Sequence, residues 1–389
     1  MQKELNTERI PIKMWLEDIE AGALEQARNL ANFPFAVSHI ALMPDCHQGF
    51  GMPIGGVMAT KDVIVPNAVG VDIGCGMCAV KTNMEDIKRD ELINILTAIR
   101  SMIPLGHRHH KKSQDPRRMP PVGDKGKMPV VMREYNSATR QIGTLGGGNH
   151  FVEIQKGSDG GIWIMVHSGS RNIGKQVADH YNRLAVKLNQ KWDSPVPRSH
   201  QLAYLPVDSR EGRQYINEMN YCIDFAFASR KLMMDNTMGV FRSFYGSGLE
   251  FSPMINIAHN YASMEHHFGM EVVVHRKGAT KAGRDTTGII PGSQGANSYI
   301  VRGKGNKDSF ESCSHGAGRT MGRKEAIRNL NLAEEVRKLE KKGIVHAIKS
   351  QRDLEEATSA YKDIARVMDL QRDLVDVLVE LSPLAVIKG

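Results

Sequence analysis

Apolar residues recur every three or four positions in several stretches of the chain, a spacing typical of helices with one buried face. In residues 15–31 this spacing places Trp15, Ile19 and Leu24 on one face and predicts an N-terminal helix. It also predicts helices over 85–102, 174–193 and 210–235, and a mainly helical segment over 324–389.

Short apolar runs separated by Gly, Pro and Asp occupy residues 40–80, 141–175 and 252–303. Such runs are typical of short strands joined by tight turns. The strands and helices do not alternate regularly, and the two halves of the sequence show no repeat. The pattern therefore predicts an α+β fold and not a doubly wound parallel sheet.

Residues 105–128 are basic and rich in Pro and Gly, with seven Lys or Arg against two Asp. The simpler interpretation is a solvated loop. The alternative is a mobile arm that contacts the phosphates of a nucleic acid.

The composition narrows the class of protein. The chain has 389 residues, and 51 Lys and Arg against 43 Asp and Glu give a formal charge of +8, which permits polyanion binding. Aromatic residues make up only 6%, which disfavours a broad base-stacking surface. Five scattered cysteines do not form a disulfide framework, so we expect a reducing, cytoplasmic location.

No apolar run approaches the roughly 18–20 residues that span a bilayer, and the first residues carry charges where a signal peptide has its apolar segment. We therefore expect neither membrane insertion nor secretion.

A carboxylate and a thiol lie three residues apart in VGVDIGCGM. Glycines flank Cys75, so one tight turn can present Asp72 and Cys75 to a single ion. His150, His167 and His259 follow or end short apolar runs or a Gly-rich turn. Each histidine alone is more often structural, but the five together are the donors of a transition-metal site, and a thiolate can bridge two ions. These donors suit zinc as well as manganese.

His315 lies in SHGAGR, ahead of the helix-like segment GRKEAIRNL. Its small neighbours allow a phosphate to approach closely, and backbone amides near a helix start favour an anion. The residues alone leave three roles open: a sixth metal ligand, a general acid, or a nucleophile that forms a phosphoramidate. Basic residues beside Gly-rich turns indicate a phosphate-bearing substrate: Arg171, Arg276, Lys277, Lys281, Arg284, Arg319 and Arg323.

Two common catalytic motifs are absent. The segment GTLGGGNH lacks the Lys-Ser/Thr ending of a P-loop, and HSGSR lacks the strand–Ser–helix elbow of serine hydrolases. The sequence therefore disfavours both classes.

The motifs together resemble those of the RtcB-type RNA ligases. PDCHQGFGMPIGG, VGVDIGCGM, TLGGGNHFVE, HSGSR, HNY, HRKGAT, PGSQG, SHGAGR and VIKG occur in the order of that family, from about residue 37 to the end. The resemblance implies one large domain over 1–389, in which β-sheets form a metal-bearing central cleft flanked by helices. It implies a GTP- and manganese-dependent enzyme that joins RNA 2′,3′-cyclic phosphate or 3′-phosphate ends to 5′-hydroxyl ends, in RNA repair or tRNA splicing.

The resemblance also assigns residues by motif. It implies that His315 becomes guanylylated and that Asp45 is an essential polar residue behind the metal ligands. Cys75 would bridge two manganese ions, whose ligands would be Asp72, Cys75, His150, His167 and His259. Guanine would be recognised or enclosed by Glu153, Ser298, Tyr361 and Lys388. The phosphates would contact Asn149, Lys277, Ser293, Ala317 and Gly318.

Three arginines resemble residues that grip RNA phosphates: Arg171, Arg319 and Arg323. Gln294 stands where the family has Met in PGSMG, which implies a slightly different pocket. Two alternatives remain at this stage. One is a metal-dependent cyclic phosphodiesterase or phosphoesterase that does not ligate, and the other is a non-catalytic RNA-binding factor. The complete metal set and SHGAGR disfavour both.

Overall fold

The computed structural model describes residues 1–389, and most of its strands belong to two large sheets. The helices are α1 Ala21–Ala31, α2 Pro66–Val69, α3 Arg89–Met102, α4 Pro129–Ala138, α5 Arg171–Lys191, α6 Arg210–Tyr245, α7 Arg323–Asn329, α8 Leu332–Lys341 and α9 Ile364–Leu370. The strands are β1 Lys3–Leu5, β2 Ile12–Met14, β3 Ala36–Phe50, β4 Met52–Thr60, β5 Val63–Ile64, β6 Gly76–Lys81, β7 Phe151–Gly157, β8 Ile162–Ser168, β9 Leu205–Pro206, β10 Ile255–Ala258, β11 Asn260–His267, β12 Met270–Lys277, β13 Ala279–Lys281, β14 Thr287–Ile290, β15 Ser298–Gly303, β16 Ser312–Ser314 and β17 Val375–Lys388.

The first sheet has six strands in the order β1-β2-β3-β4-β12-β11, and the second has seven in the order β10-β6-β8-β7-β17-β15-β14. Their pairings are antiparallel except between β2 and β3. The second sheet curls, so that its edge strands β10 and β14 approach each other. The α+β prediction is confirmed.

Helices cover the curled sheet on its outer face. Apolar residues of α3 and α6 pack against β6, β7 and β8, where Ile95, Met233 and Val166 belong to one buried cluster. The inner face has its own cluster, which includes Met165 and Leu381. Because the sheet is buried on both faces, its strands are nearly continuous apolar runs.

Two predicted helices begin or end elsewhere. The N-terminal helix begins at Ala21 and not at residue 15, because Trp15 is fully buried and its backbone N–H donates to Leu42 O of β3 at 2.9 Å. Helix α6 extends ten residues beyond the predicted end and stops at Gly246, whose backbone φ of 83° is left-handed.

The mainly helical prediction for 324–389 is wrong for its last part. Helices α7, α8 and α9 are present, but Val375–Lys388 forms the longest strand of the seven-stranded sheet. Val375, Val379 and Leu381 are buried, and alternate positions of this run are apolar. The run therefore fits a period of two as well as the helical spacing, and pairing with β7 and β15 decides between them.

The basic segment 105–128 is a loop with two single 3₁₀ turns, at Pro116–Arg118 and Lys125–Lys127. Its basic side chains face solvent, but Met119 is buried in the cluster beneath α4, α5 and α6. Its backbone is also bonded to the body, since His110 N–H donates to Arg140 O at 2.9 Å. The segment is thus an anchored loop.

We expect Leu381→Ala to lower the free energy of unfolding by about 2–5 kcal/mol, because the lost side chain leaves a cavity in the inner core of the sheet. Leu378→Ala on the same strand is the matched control, because Leu378 is 41% exposed, and we expect a change within about 0.5 kcal/mol. Urea unfolding measures both. Equal losses in the two variants would contradict the assignment of β17 to the core.

Candidate active site

The metal-donor side chains lie at one end of the seven-stranded sheet. Cys75 directly precedes β6, His167 is the penultimate residue of β8, His150 directly precedes β7 and His259 directly follows β10. The register brings these ends together, since Gly76 pairs with both Ser168 and Ala258, and Phe151 pairs with His167. Neighbouring antiparallel strands thus deliver residues that are far apart in the sequence to one place.

The five donors form two groups that share one thiol. Cys75, His167 and His259 make one group, and Asp72, Cys75 and His150 make the other, with the ligand atoms of each within 4.8 Å of one another. The Cys75 Sγ lies 3.3 Å from His167 Nε2 and 3.5 Å from His150 Nε2. His150 Nε2 is 3.1 Å from the Asp72 carboxylate.

The chemistry of the donors fits a metal centre. Burial lowers the pKa of both His167 and His259 well below the usual range, so both rings are neutral, as metal ligands must be. His167 Nδ1 contacts Asn149 O at 3.1 Å, which orients Nε2 toward the cluster. His259 Nδ1 is buried without a protein partner. Burial, with the nearby Asp72 carboxylate, raises the pKa of the Cys75 thiol well above its usual range, so the shared sulfur would give up its proton only to a bound cation. Two three-donor groups that share this sulfur fit a metal site.

Arg230 of α6 supports the metal-bearing turns from behind. Its guanidinium is fully buried and donates to Gly74 O at 2.9 Å, Ser168 O at 2.8 Å and the Asn256 side chain at 2.8 Å. It therefore joins the turn before β6 to the end of β8. No motif in the sequence indicates this role, because Arg230 lies inside an otherwise ordinary amphipathic helix.

His315 follows β16 and its ring lies beside the donor cluster, with 4.8 Å between the ring centres of His315 and His259. Asp45 of β3 is fully buried, and its Oδ2 lies 2.6 Å from His315 Nδ1. The same oxygen accepts from the backbone N–H groups of His315 at 3.0 Å and Gly316 at 3.3 Å. A carboxylate only accepts, so Nδ1 carries a proton, and the neutral tautomer that this contact selects has its free lone pair on Nε2.

Gly318 permits this close approach of the SHGAGR segment to β3. Its φ is +76°, and an added Cβ would lie 2.3 Å from Asp45 O. Any side chain at this position would push the segment that carries His315 away from Asp45. The close contact with β3 therefore requires glycine at position 318.

His315 opens into a cavity of about 910 Å³. Most of the residues predicted to bind the nucleotide line it: Asn149, Glu153, Ser293, Ala317, Gly318, Tyr361 and Lys388, together with Gln294. Glu153 Oε1 and Ser293 Oγ are buried without a protein partner, so both atoms are free for a polar ligand. Gln294 donates to Glu356 O at 2.8 Å and thereby ties the PGSQG turn to the facing segment.

The floor of the cavity holds a buried carboxyl beside a buried amine. Burial raises the pKa of Glu153 to about 8, with the neighbouring Lys388 opposing the shift. Burial lowers the pKa of Lys388, against the effect of Glu356 and Glu153. Lys388 Nζ lies 3.4 Å from Asn149 O. The carboxyl of Glu153 therefore holds its proton near neutral pH and can donate a hydrogen bond.

Glu356 organises the cations of the cavity wall. It is 3% exposed, and its carboxylate accepts from Arg319 at 3.1 Å, from Arg323 at 2.9 Å and from the Tyr361 hydroxyl. The Arg319 guanidinium also lies 4.9 Å from the ring centre of Tyr361. Two of the three arginines predicted to grip RNA thus line the cavity, and Glu356 holds both. Glu356 was not predicted, because the segment LEEAT has no distinctive motif.

Three of the residues predicted to contact the nucleotide or the RNA do not line the cavity. Ser298 Oγ accepts from Gly292 N–H at 3.2 Å and so holds the PGSQG turn. Arg171 contacts Thr144 Oγ1 at 3.0 Å and Gly106 O at 2.8 Å, behind the Gly-rich turn. Lys277 Nζ donates to two backbone carbonyls, Phe50 O at 2.6 Å and Asn67 O at 2.9 Å.

None of the helices is both long enough and apolar enough to cross a lipid bilayer. A buried donor cluster beside a cation-lined cavity is the arrangement of a metal-dependent enzyme site. Sequence comparisons identify the family. The family model described as tRNA-splicing ligase RtcB matches residues 26–138 and 121–389.

Named relatives cover nearly the whole chain. The RNA-splicing ligase RtcB of Escherichia coli K12 is 38% identical over 408 residues, 99% of each chain. The tRNA-splicing ligase RtcB of Thermococcus kodakarensis is 31% identical over 459 residues, 98% of this chain and 95% of the relative. The RNA-splicing ligase RtcB homolog 1 of Entamoeba histolytica is 30% identical and is covered over 84% of its length. The chain belongs to the RtcB family.

We expect the wild type to lose free energy of unfolding as pH rises from 5 to 8, and we expect Glu153→Gln to become more stable than the wild type by comparison. The folded-state pKa of Glu153, about 8, lies above its unfolded value, so the wild type holds an extra proton and loses stability across this window. The variant does not titrate there and should gain on the order of 2–5 kcal/mol.

Urea unfolding at pH 5, 6.5 and 8 measures this difference. Glu25→Gln at an exposed position on α1 is the control and should parallel the wild type. A constant difference between Glu153→Gln and the wild type across the three pH values would contradict the raised pKa.

Proposed function

We propose that this protein is an RNA ligase that joins 2′,3′-cyclic phosphate or 3′-phosphate ends to 5′-hydroxyl ends, using GTP and two Mn²⁺ ions. The observation that carries the proposal is His315, which is held by Asp45 beside the donor cluster and opens into the cavity. The names of the relatives support the RNA substrate and the ligase reaction. RNA repair and tRNA splicing require the same chemistry.

The proposed metal ligands are the five donors Asp72, Cys75, His150, His167 and His259, with Cys75 shared between the ions. Bound there, the ions would supply Lewis-acid stabilisation of charge on a phosphoryl group. Manganese suits a set that includes a carboxylate and leaves coordination positions open. Arg230 holds the backbone that carries the shared thiol and so fixes the spacing of both groups.

The proposed nucleophile is His315 Nε2. Asp45 accepts the Nδ1 proton, which fixes the ring and stabilises the positive charge that develops on attack. Attack on the α-phosphorus of GTP forms a P–N bond and breaks the bond to pyrophosphate. A 2′,3′-cyclic phosphate is first opened by water to a 3′-phosphate. An oxygen of the RNA 3′-phosphate then attacks the GMP phosphorus, and the P–N bond to His315 breaks. The 5′-hydroxyl finally attacks the activated 3′ end, loses its proton and expels GMP.

The cavity has polar groups that could bind both the guanine base and the phosphates of GTP. Glu153, as a protonated carboxyl, and Lys388 would contact guanine, and Tyr361 would close the pocket beside them. Ser293 and Asn149, with the backbone of Ala317 and Gly318, would contact the phosphates. Arg319 and Arg323 would meet RNA phosphate groups at the cavity wall.

We expect His315→Ala to abolish covalent labelling by α-labelled GTP in the presence of Mn²⁺, by at least about 10³-fold, because the attacking nitrogen is gone. The surface variant His266→Ala is the matched control and should label like the wild type, since His266 is exposed on the β11–β12 hairpin. Label retained by His315→Ala would contradict the assignment.

The same preparations decide between ligation and hydrolysis. The wild type should join a cyclic-phosphate or 3′-phosphate RNA to a 5′-hydroxyl RNA only with GTP. Release of free 3′-phosphate from the cyclic end without GTP, and without joined product, would favour a cyclic phosphodiesterase. If the wild type shows neither ligation nor hydrolysis, and the Cys75→Ala variant still binds RNA, the protein would be a non-catalytic RNA-binding factor.

We expect the wild type to hold two Mn²⁺ per chain and Cys75→Ala to lose both, because the thiolate belongs to both donor groups. Cys78→Ala is the matched control, since Cys78 is also a buried free cysteine but its Sγ faces Arg230 O at 3.8 Å. Elemental analysis after dialysis against a chelator and reloading measures the ratio. Two ions retained by Cys75→Ala would overturn the shared ligand.

A further inference from the structure

Phe50 presents its ring to solvent at the rim of the cavity that contains His315. It is 75% exposed, the highest value among the large apolar side chains of this protein, and it lines the cavity beside Gln48 and Gly49. Its ring pairs with no other aromatic ring, and it belongs to none of the apolar clusters. A single exposed apolar residue is common, so exposure by itself assigns no role.

The backbone that carries Phe50 is held in place at several points. Phe50 lies at the tip of the β3–β4 hairpin, where Gly51 has φ +69° and an added Cβ would lie 2.7 Å from Gln201 O. The Gln26 side chain of α1 donates to Gly49 O at 2.7 Å and accepts from Gly49 N–H at 3.0 Å. Two hydrogen bonds from α1 thus hold the tip, and the loop at residue 201 packs closely against Gly51.

Lys277 adds a third restraint, directly on Phe50. Its ammonium group is buried, makes no salt bridge and donates to Phe50 O at 2.6 Å. Burial lowers the pKa of Lys277 to about 7, which shows how unfavourable this position is for a charge. The buried ammonium group of Lys277 therefore restrains the backbone of Phe50, although the Phe50 side chain is mostly exposed.

The surroundings of Phe50 match one kind of ligand. Cationic side chains line the same cavity, including Arg323, Lys324 and Arg328, and they suit a phosphate backbone. Proteins that bind single-stranded nucleic acid combine two elements. Cationic side chains follow the phosphate backbone, and aromatic rings stack on the bases. Phe151 and Tyr361 also line the cavity, but Phe151 is buried and Tyr361 is only partly exposed, so Phe50 is the aromatic ring most open to a base there.

We propose that Phe50 is the surface on which an unpaired base of the RNA stacks beside the end that reacts at His315. The proposal rests on the proposed function. The rigid hairpin places the ring before the RNA arrives, so that stacking sets the position of the terminal nucleotides. Any base offers a π face, so the contact is tolerant of sequence. Lys277 is a positioning residue that acts through the backbone of Phe50.

The test measures binding of a 3′-phosphate RNA oligonucleotide by fluorescence anisotropy at fixed salt. Phe50→Ala should raise Kd by about 5- to 150-fold, the range expected for one lost base stack. Phe50→Leu keeps apolar area but lacks a π face and should bind nearly as weakly, whereas Phe50→Trp should bind like the wild type. The tryptophan fluorescence of Phe50→Trp should change on RNA addition.

The control variant is Phe244→Ala, since Phe244 is 44% exposed near the end of α6 and does not line the cavity. It should bind RNA like the wild type. A second arm replaces single bases near the 3′ end by abasic sites. One position should weaken binding to the wild type and have no effect on binding to Phe50→Ala.

Unchanged affinity of Phe50→Ala would overturn the proposal, and it would do so even if ligation fell, because the ring would then serve another contact, such as a protein partner. Full rescue by Phe50→Leu would overturn stacking in favour of plain apolar contact. Failure of the proposed function is separate, because it appears as absence of GTP labelling and ligation in the wild type.

Discussion

The buried carboxylate of Asp45 ties the segment that carries His315 to the six-stranded sheet. It belongs to the six-stranded sheet, yet all three groups that donate to its Oδ2 come from His315 and Gly316, which follow β16. A buried carboxylate needs such donors, so the burial of Asp45 and the position of His315 depend on each other. A loop residue thereby gains the positional precision of a strand, which is what the proposed nucleophile requires.

A second buried carboxylate, Glu356, holds charged side chains in place at the wall of the cavity. Glu356 holds Arg319 and Arg323 in fixed positions and, with Tyr361, leaves few rotamers open to either guanidinium. An incoming phosphate then meets cations that are already ordered, which reduces the entropic cost of binding. It must also compete with Glu356, so the wall favours a ligand with several phosphates over a single anion.

The sequence predicted the parts of the site that lie in short motifs. The proposed ligands Asp72 and Cys75 could be singled out because their donor atoms and the turn that presents them are neighbours in the chain. Arg230 and Glu356 could not, because each acts on segments that are distant in sequence and each lies in unremarkable local texture. Lys277 was predicted to contact phosphate, and in the structure its ammonium group donates to Phe50 O and Asn67 O, two partners that are distant in sequence. Strand β17 was missed because its apolar positions satisfy two periods and only its neighbours choose between them.

The position of β17 has a consequence for biosynthesis. This strand lies between β7 and β15, and its last residue, Lys388, reaches the floor of the cavity. While the ribosome is still making the preceding residues, β7 and β15 each have an unpaired edge, and such edges invite pairing with other chains. The nascent polypeptide therefore passes through an aggregation-prone stage until residues 375–388 emerge, and cellular chaperones have most to protect in that interval.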